Sequence, residues 1–304
     1  MTPGTPDSGL RVAVATPSLL GESPLWHPRE QLLYYCDIPG RQLLRFDPRS
    51  GQRTAWDFDT EPSAVAPLPD GRLLLALRSG IWRFDPASAS RERLAQAPYD
   101  VASQRFNDGK CDAKGRLWIG TICEPREPAL GTMQCFAAGA LSQRFDGVSI
   151  SNGLAWSPDG RTMYWADTYT NIVYAFDFEP DSGDLSGRRV FARFPIKEPG
   201  PQRDDYLGCP DGAAIDREGC YWVAMYDGQR VLRLSPKGEI LRQVHLPVRC
   251  PTMPAFGGHD LKTLYITTAR EHRKAVELAA QPLAGCVLAM SVDVPGLPAN
   301  YALV

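Results

Sequence analysis

Glu22, Asn107, Asn152 and Asp211 are oxygen-bearing side chains that recur in phase along the chain. Each stands about ten or eleven residues upstream of a strand-like run rich in apolar and aromatic residues. At the two remaining equivalent positions stand Pro62 or Ser63, and Thr252. Carboxylate and amide oxygens with no His or Cys nearby form an all-oxygen donor set, which suits a hard divalent cation such as calcium, magnesium or manganese. Taken singly, Asn152-Gly153 and Asp211-Gly212 are ordinary turn dipeptides, and Glu22 reads as a solvated loop acid. Independent turn residues have no reason to fall in phase, so the shared register favours a metal site.

The elements that would position these residues come from a hairpin signal met six times: HPREQLLYYCD from His27, LPDGRLLLAL from Leu68, DAKGRLWIG from Asp112, SPDGRTMYWAD from Ser157, DREGCYWVAM from Asp216 and HDLKTLYITT from His259. The copies lie roughly 40 to 60 residues apart, the repeat length of propeller blades. A second strand-like run follows each copy, and inner and outer runs flank the pair. Four strands per unit and six units predict an all-β fold, a six-bladed β-propeller. The first strand of every blade lines the central channel, so residues at equivalent starts converge near its axis. The sixth unit lacks an outer strand after Val294, while RVAVAT from Arg11 has no partner of its own. The N-terminal strand is therefore expected to close the last blade and remove an open sheet edge, making residues 1–304 a single propeller domain. The stretch from Phe194 to Pro210 makes the fourth-to-fifth spacing the longest. It reads either as a surface excursion or as a lid that brings Asp204, Asp205 and Tyr206 above the channel mouth.

Composition removes several function classes. A net charge of -2 gives no basic footprint for nucleic acid. No apolar run approaches membrane-spanning length, and the first twenty residues lack the charge-then-apolar pattern of a signal peptide, so a cytoplasmic protein without membrane contact is expected. The eight cysteines are scattered without CxxC pairs, as expected of reduced, buried thiols. GxSxG, HExxH, GxGxxG and P-loop motifs are absent, and the four histidines show no ligand spacing. Serine and cysteine nucleophiles therefore have little support.

GESPLWHP from Gly21, RFNDGKCDAKGRLWIGT from Arg105, SNGLAWSPDGRTMYWAD from Ser151, PDGAAID from Pro210 and FGGHDLKTLYITTAR from Phe256 run along almost the whole chain. With these motifs the sequence resembles the senescence-marker-protein, gluconolactonase and luciferin-regenerating-enzyme family. The resemblance implies a six-bladed propeller with one divalent metal near the channel mouth, its identity open among calcium, zinc, manganese, magnesium and iron. It implies hydrolysis of a sugar lactone, a carboxylic ester, as the activity, with that small molecule as the partner. Carried over residue by residue, it makes Glu22, Asn152 and Asp211 the metal ligands, with Asp211 also the proton acceptor. Arg105 and Asn107 become substrate-binding residues. Glu124 is the third candidate contact, although it stands one position early and Pro125 occupies the place of the expected acid. Two rival readings use the same residues: an aryl-ester or organophosphate hydrolase on the same metal, and a calcium-binding protein without turnover. Native metal, preferred lactone and oligomeric state stay open at this level.

Overall fold

In the third and fifth copies the hairpin signal owes its shape to the aspartate that opens it. In Asp112-Ala-Lys-Gly-Arg-Leu-Trp118, one carboxylate oxygen accepts the Lys114 and Arg116 amides at 2.9 and 3.1 Å, closing the turn. The other accepts the Trp118 indole N–H at 2.9 Å and Arg116 Nε at 2.6 Å. Asp216 repeats the device with the Glu218 and Cys220 amides, Trp222 Nε1 and Arg233 Nε. The aspartate thus fixes the turn and satisfies the polar end of an indole that is otherwise buried, so the large ring carries no unpaired donor into the core.

The computed structural model describes residues 7, 9–124, 130–197 and 206–304. In it six antiparallel sheets of four strands form the blades, each in simple meander order from the innermost strand outward. The innermost strands are Gly21–Trp26, Pro62–Pro67, Gln104–Cys111, Ser151–Trp156, Cys209–Ile215 and Pro251–Gly257. Each touches the next, and the sixth touches the first, so the blades close into a six-bladed β-propeller. Arg11–Val14 pairs with Val287–Ser291 as the outer strand of the sixth blade, with Arg11 opposite Ala289, so the closure expected from the N-terminal strand is present.

Apolar side chains gather in the seams between blades. The first and second blades pack Tyr34, Leu43 and Leu25 against Leu73, Leu75 and Phe84, and comparable clusters fill the other five seams among the described residues. All eight cysteines are free thiols; seven are buried and Cys209 is partly exposed. Among the described residues no helix is long and apolar enough to cross a membrane.

The feature that matters most for function lies in the innermost strands. In every blade the pairing with the second strand slips at the same place: after Glu22, after Pro62, after Phe106, after Asn152, after Pro210 and after Pro251. A bulge of this kind adds unpaired backbone to one strand and re-aims the neighbouring side chains. Two bulges need left-handed backbone, at Ser23 with φ 49° and at Gly153 with φ 62°. Gly153 has a second constraint: its carbonyl accepts Tyr221 Oη at 2.6 Å, and an added Cβ would run into that same hydroxyl and Ala166.

Gly160 shares the left-handed conformation but faces open space. Gly160→Ala should therefore cost on the order of 1 kcal/mol for backbone strain alone, and Gly153→Ala on the order of 3 kcal/mol or more for strain plus crowding. Denaturant unfolding of both variants measures the difference; equal losses would contradict the packing assigned to Gly153.

Candidate metal centre

The six bulges lie at one end of the channel, and the side chains beside them are buried: Glu22, Ser63, Asn107, Asn152, Asp211 and Thr252 are each less than a tenth exposed. Two of the six are committed elsewhere. Ser63 Oγ donates to the Ala76 carbonyl at 3.2 Å, and Thr252 Oγ1 donates to the Gly21 carbonyl at 2.5 Å. The other four line a pocket of about 690 Å³ together with Arg105 and Glu124. All six residues singled out from the sequence thus share one cavity. A second cavity of about 390 Å³, at the far ends of the same strands among Trp26, Trp156 and Ile215, holds none of them.

The amide of Asn152 is oriented by a chain of hydrogen bonds. Thr168 Oγ1 donates to the Pro210 carbonyl at 2.7 Å, so its lone pair is left to accept Asn152 Nδ2 at 2.8 Å. That leaves Asn152 Oδ1 turned toward Asn107, whose Nδ2 donates to it at 2.9 Å and to the Ser151 carbonyl at 2.8 Å. Oδ1 has a second lone pair, available to a cation. The Thr168 link joins Asn152 to the residue preceding Asp211 and holds two candidate ligands in fixed relation, as partners behind metal ligands do. Thr168 went unread in the sequence; its signal was its place directly after the aromatic strand that ends in Asp167.

Burial sets the electrostatics. It pushes the Glu22 carboxyl from its ordinary 4.5 up to about 8, with the Asp108 carboxylate adding to the rise and the Ser23 amide and Arg105 opposing it. Asp211 is raised well above the usual carboxylate range by burial first, then by Glu22 and Asp108, against the Gly212 amide and Arg105. Asp108 is itself raised by burial; its Oδ2 accepts the Leu154 amide at 2.9 Å, while its buried Oδ1 has no hydrogen-bond partner among the described residues. Burial lowers the nearby Lys110, whose Nζ donates to the Ala213 carbonyl at 2.7 Å. Two buried acids that repel each other, beside an oriented amide oxygen, form a place where positive charge is favoured. Among the described residues no three His, Cys, Asp or Glu side chains gather as ligands, so the candidate set is two carboxylates and one amide. That all-oxygen chemistry fits a hard divalent cation.

Arg105 sits at the edge of this set, where Nη1 donates to Asn107 Oδ1 at 2.7 Å and to the Phe106 carbonyl at 3.0 Å. Glu124 faces the pocket and lies 3.7 Å from Arg105 Nε, but its closer partner is Arg78 at 2.7 Å. Arg78 also holds Glu61 at 2.8 Å, so this wall is a chain of paired charges that spacing did not reveal. Of the Phe194 to Pro210 stretch, Asp204 and Asp205 lie outside the described residues. Tyr206 is buried and lines the pocket, with its hydroxyl 3.2 Å from Cys209 Sγ. His27 is buried and occupied with the Glu30 amide, in keeping with a turn role.

Residues 20–270 match the family described as the SMP-30/Gluconolactonase/LRE-like region. A 6-deoxy-6-sulfogluconolactonase of Pseudomonas putida is 44% identical over 94% of this chain and 96% of its own length. Regucalcin of Gallus gallus is 36% identical, covering 92% of this chain and 93% of its own. A crystal structure described as a calcium-binding protein, regucalcin, from Agrobacterium tumefaciens superposes with a TM-score of 0.90 at 29% identity, over 98% of both chains. On its sequence and its fold alike, the chain belongs to the SMP-30/gluconolactonase/LRE-like family.

Proposed function

We propose that this protein hydrolyses a sugar lactone to the aldonic acid, and that Glu22, Asn152 and Asp211 hold one divalent cation at the site. The observation that carries the reading is the pair of mutually repelling, buried carboxylates beside an oriented amide in one open pocket. Membership of the family and the lactonase among its relatives support the substrate class. The calcium-binding description of the structural neighbour supports a hard cation.

A bound divalent cation supplies Lewis acidity at the lactone carbonyl and stabilises the negative charge of the tetrahedral oxyanion. The chain's own residues do the rest. Asp211, kept ionised when a cation is bound, takes a proton from the attacking water as the water oxygen bonds to the carbonyl carbon. It returns that proton to the ring oxygen as the ring C–O bond breaks, a role worth about 10² to 10⁴ in rate. Asn107 and Thr168 fix the Asn152 amide, so no reorganisation is needed when substrate arrives. Arg105 and the second lone pair of Asn107 Oδ1 are positioned to meet sugar hydroxyls or the product carboxylate.

Asp211→Asn keeps an oxygen donor but cannot accept a proton. It should fold, retain part of its metal affinity, and lose at least about 100-fold in kcat on an aldonolactone. Acid release with manganese or calcium present, alongside circular dichroism, makes the test; activity within about tenfold of wild type would assign the base elsewhere.

A second prediction concerns pH. Because the folded-state value of Glu22 lies above its ordinary 4.5, at about 8, this group's contribution to stability is fully present below about pH 4.5 and is lost as pH rises through 8. In chelator, the Tm of wild type should fall relative to Glu22→Gln across that window, and saturating metal should abolish the fall. Parallel profiles for the two proteins in chelator would contradict the burial assigned to Glu22.

A further inference from the structure

The pocket has a second charged wall, away from Arg105. Asp227, in the left-handed turn that follows the strand Tyr221–Tyr226, is buried and met by three cations: Lys197 Nζ at 2.5 Å, Arg273 Nη1 at 3.3 Å, and Arg249. Glu277 of the short helix Ala275–Ala280 stands 3.7 Å from both Arg249 and Arg273. Within this group, three cations share two carboxylates. Lys197, Asp227 and Arg273 line the same cavity as Asp211, with Glu271 beside them on the rim.

The two basic walls differ in spare donor capacity. Arg78 is used up by Glu61, Glu124 and the carbonyls of Val101 and Gln104. Lys197 is nearly half exposed, and among the described residues its ammonium, with three hydrogens, makes one short bond, to Asp227. Arg273 lies over the Tyr226 ring at 5.8 Å, and its buried Nε has no hydrogen-bond partner among the described residues. The strand register places this wall relative to the candidate ligands. Cys209 pairs with Tyr226, the residue before Asp227, and Asp211 lies two residues further along the same strand. Lys197 and Arg273 thus line the cavity beside the strand that carries Asp211, where a lactone with its carbonyl toward Asp211 would turn its far carbon toward them.

We propose that Lys197 and Arg273, held by Asp227, form a subsite for a tetrahedral oxyanion, a sulfonate or phosphate, on the sugar carbon farthest from the lactone carbonyl. The inference rests on the lactonase reading and names its substrate class. A neutral hydroxyl would use one donor of this wall, whereas a three-oxygen anion accepts from ammonium and guanidinium together in charge-assisted bonds. Asp227 holds both cations in place before substrate arrives, which lowers the entropy lost on binding.

The test compares gluconolactone with its 6-phosphate and its 6-deoxy-6-sulfonate on full-length, metal-loaded protein, in wild type, Lys197→Met, Arg273→Met and Arg273→Lys. Wild type should favour at least one anionic lactone by about tenfold or more in kcat/KM, mainly through KM, and the favoured one identifies the anion. Either methionine variant should remove most of that advantage while changing the unsubstituted lactone by less than about threefold, Arg273→Lys should restore part of it, and added salt should shrink it. Lys197 is the more exposed of the two, so its variant answers if Arg273→Met fails to fold. Wild-type rates within about threefold on all three lactones, or variants that lose equally on all, would overturn the subsite. Calorimetric titration with 6-phosphogluconate and its sulfonate counterpart separates the two readings. Binding that needs Arg273 with no turnover of any lactone would overturn the hydrolase and keep the subsite; turnover of gluconolactone with no such binding would do the reverse.

Discussion

The site depends on one local departure from regular pairing: the bulge that each innermost strand makes where it enters the channel. In an unbroken ladder, alternate side chains leave the strand in opposite directions at fixed spacing, and the extra backbone at the bulge changes that direction locally. A bulge also releases backbone groups from the ladder, and those need partners. Neighbouring blades supply them: Ser23 Oγ accepts the Val65 amide, Asp108 Oδ2 the Leu154 amide, and the Gly153 carbonyl accepts the Tyr221 hydroxyl. The bulge of one blade is thus completed by a neighbouring blade, so the closed ring and the convergent side chains are one arrangement.

That arrangement concentrates acid where water is scarce. Glu22, Asp108 and Asp211 act on one another within a set whose nearest opposing cations are Arg105 and Lys110. Burying such a group is costly unless a positive charge compensates it, and the apolar seams between blades supply the rigidity that keeps the acids from moving apart. The same rigidity lets the Thr168 and Asn107 hydrogen bonds fix the Asn152 amide without a moving part. On the proposed reading, the mutual repulsion of these acids favours a cation between them.

Much of this was legible in the chain because the blade repeats in both length and chemistry. In the third and fifth blades the Asp-x-x-Gly turns bind the indoles that follow them, and apolar and aromatic runs marked every blade, so counting back from them found Glu22, Asn107, Asn152 and Asp211. The unpaired strand Arg11–Val14 found its partner by the same arithmetic. What spacing could not show are contacts between loops of different blades. Thr168 reaches Pro210 across a blade boundary, and Arg78 draws Glu124 away from Arg105. The wall of Lys197, Asp227 and Arg273 joins loops from three blades, so no single motif contains it.

Anomalous diffraction from crystals soaked in manganese tests directly whether Glu22, Asn152 and Asp211 share one cation. A single strong peak should lie between the Glu22 and Asp211 carboxylates and Asn152 Oδ1, at roughly 2.0 to 2.6 Å from an oxygen of each. A peak bound elsewhere, or none at a concentration that supports turnover, would contradict the shared site.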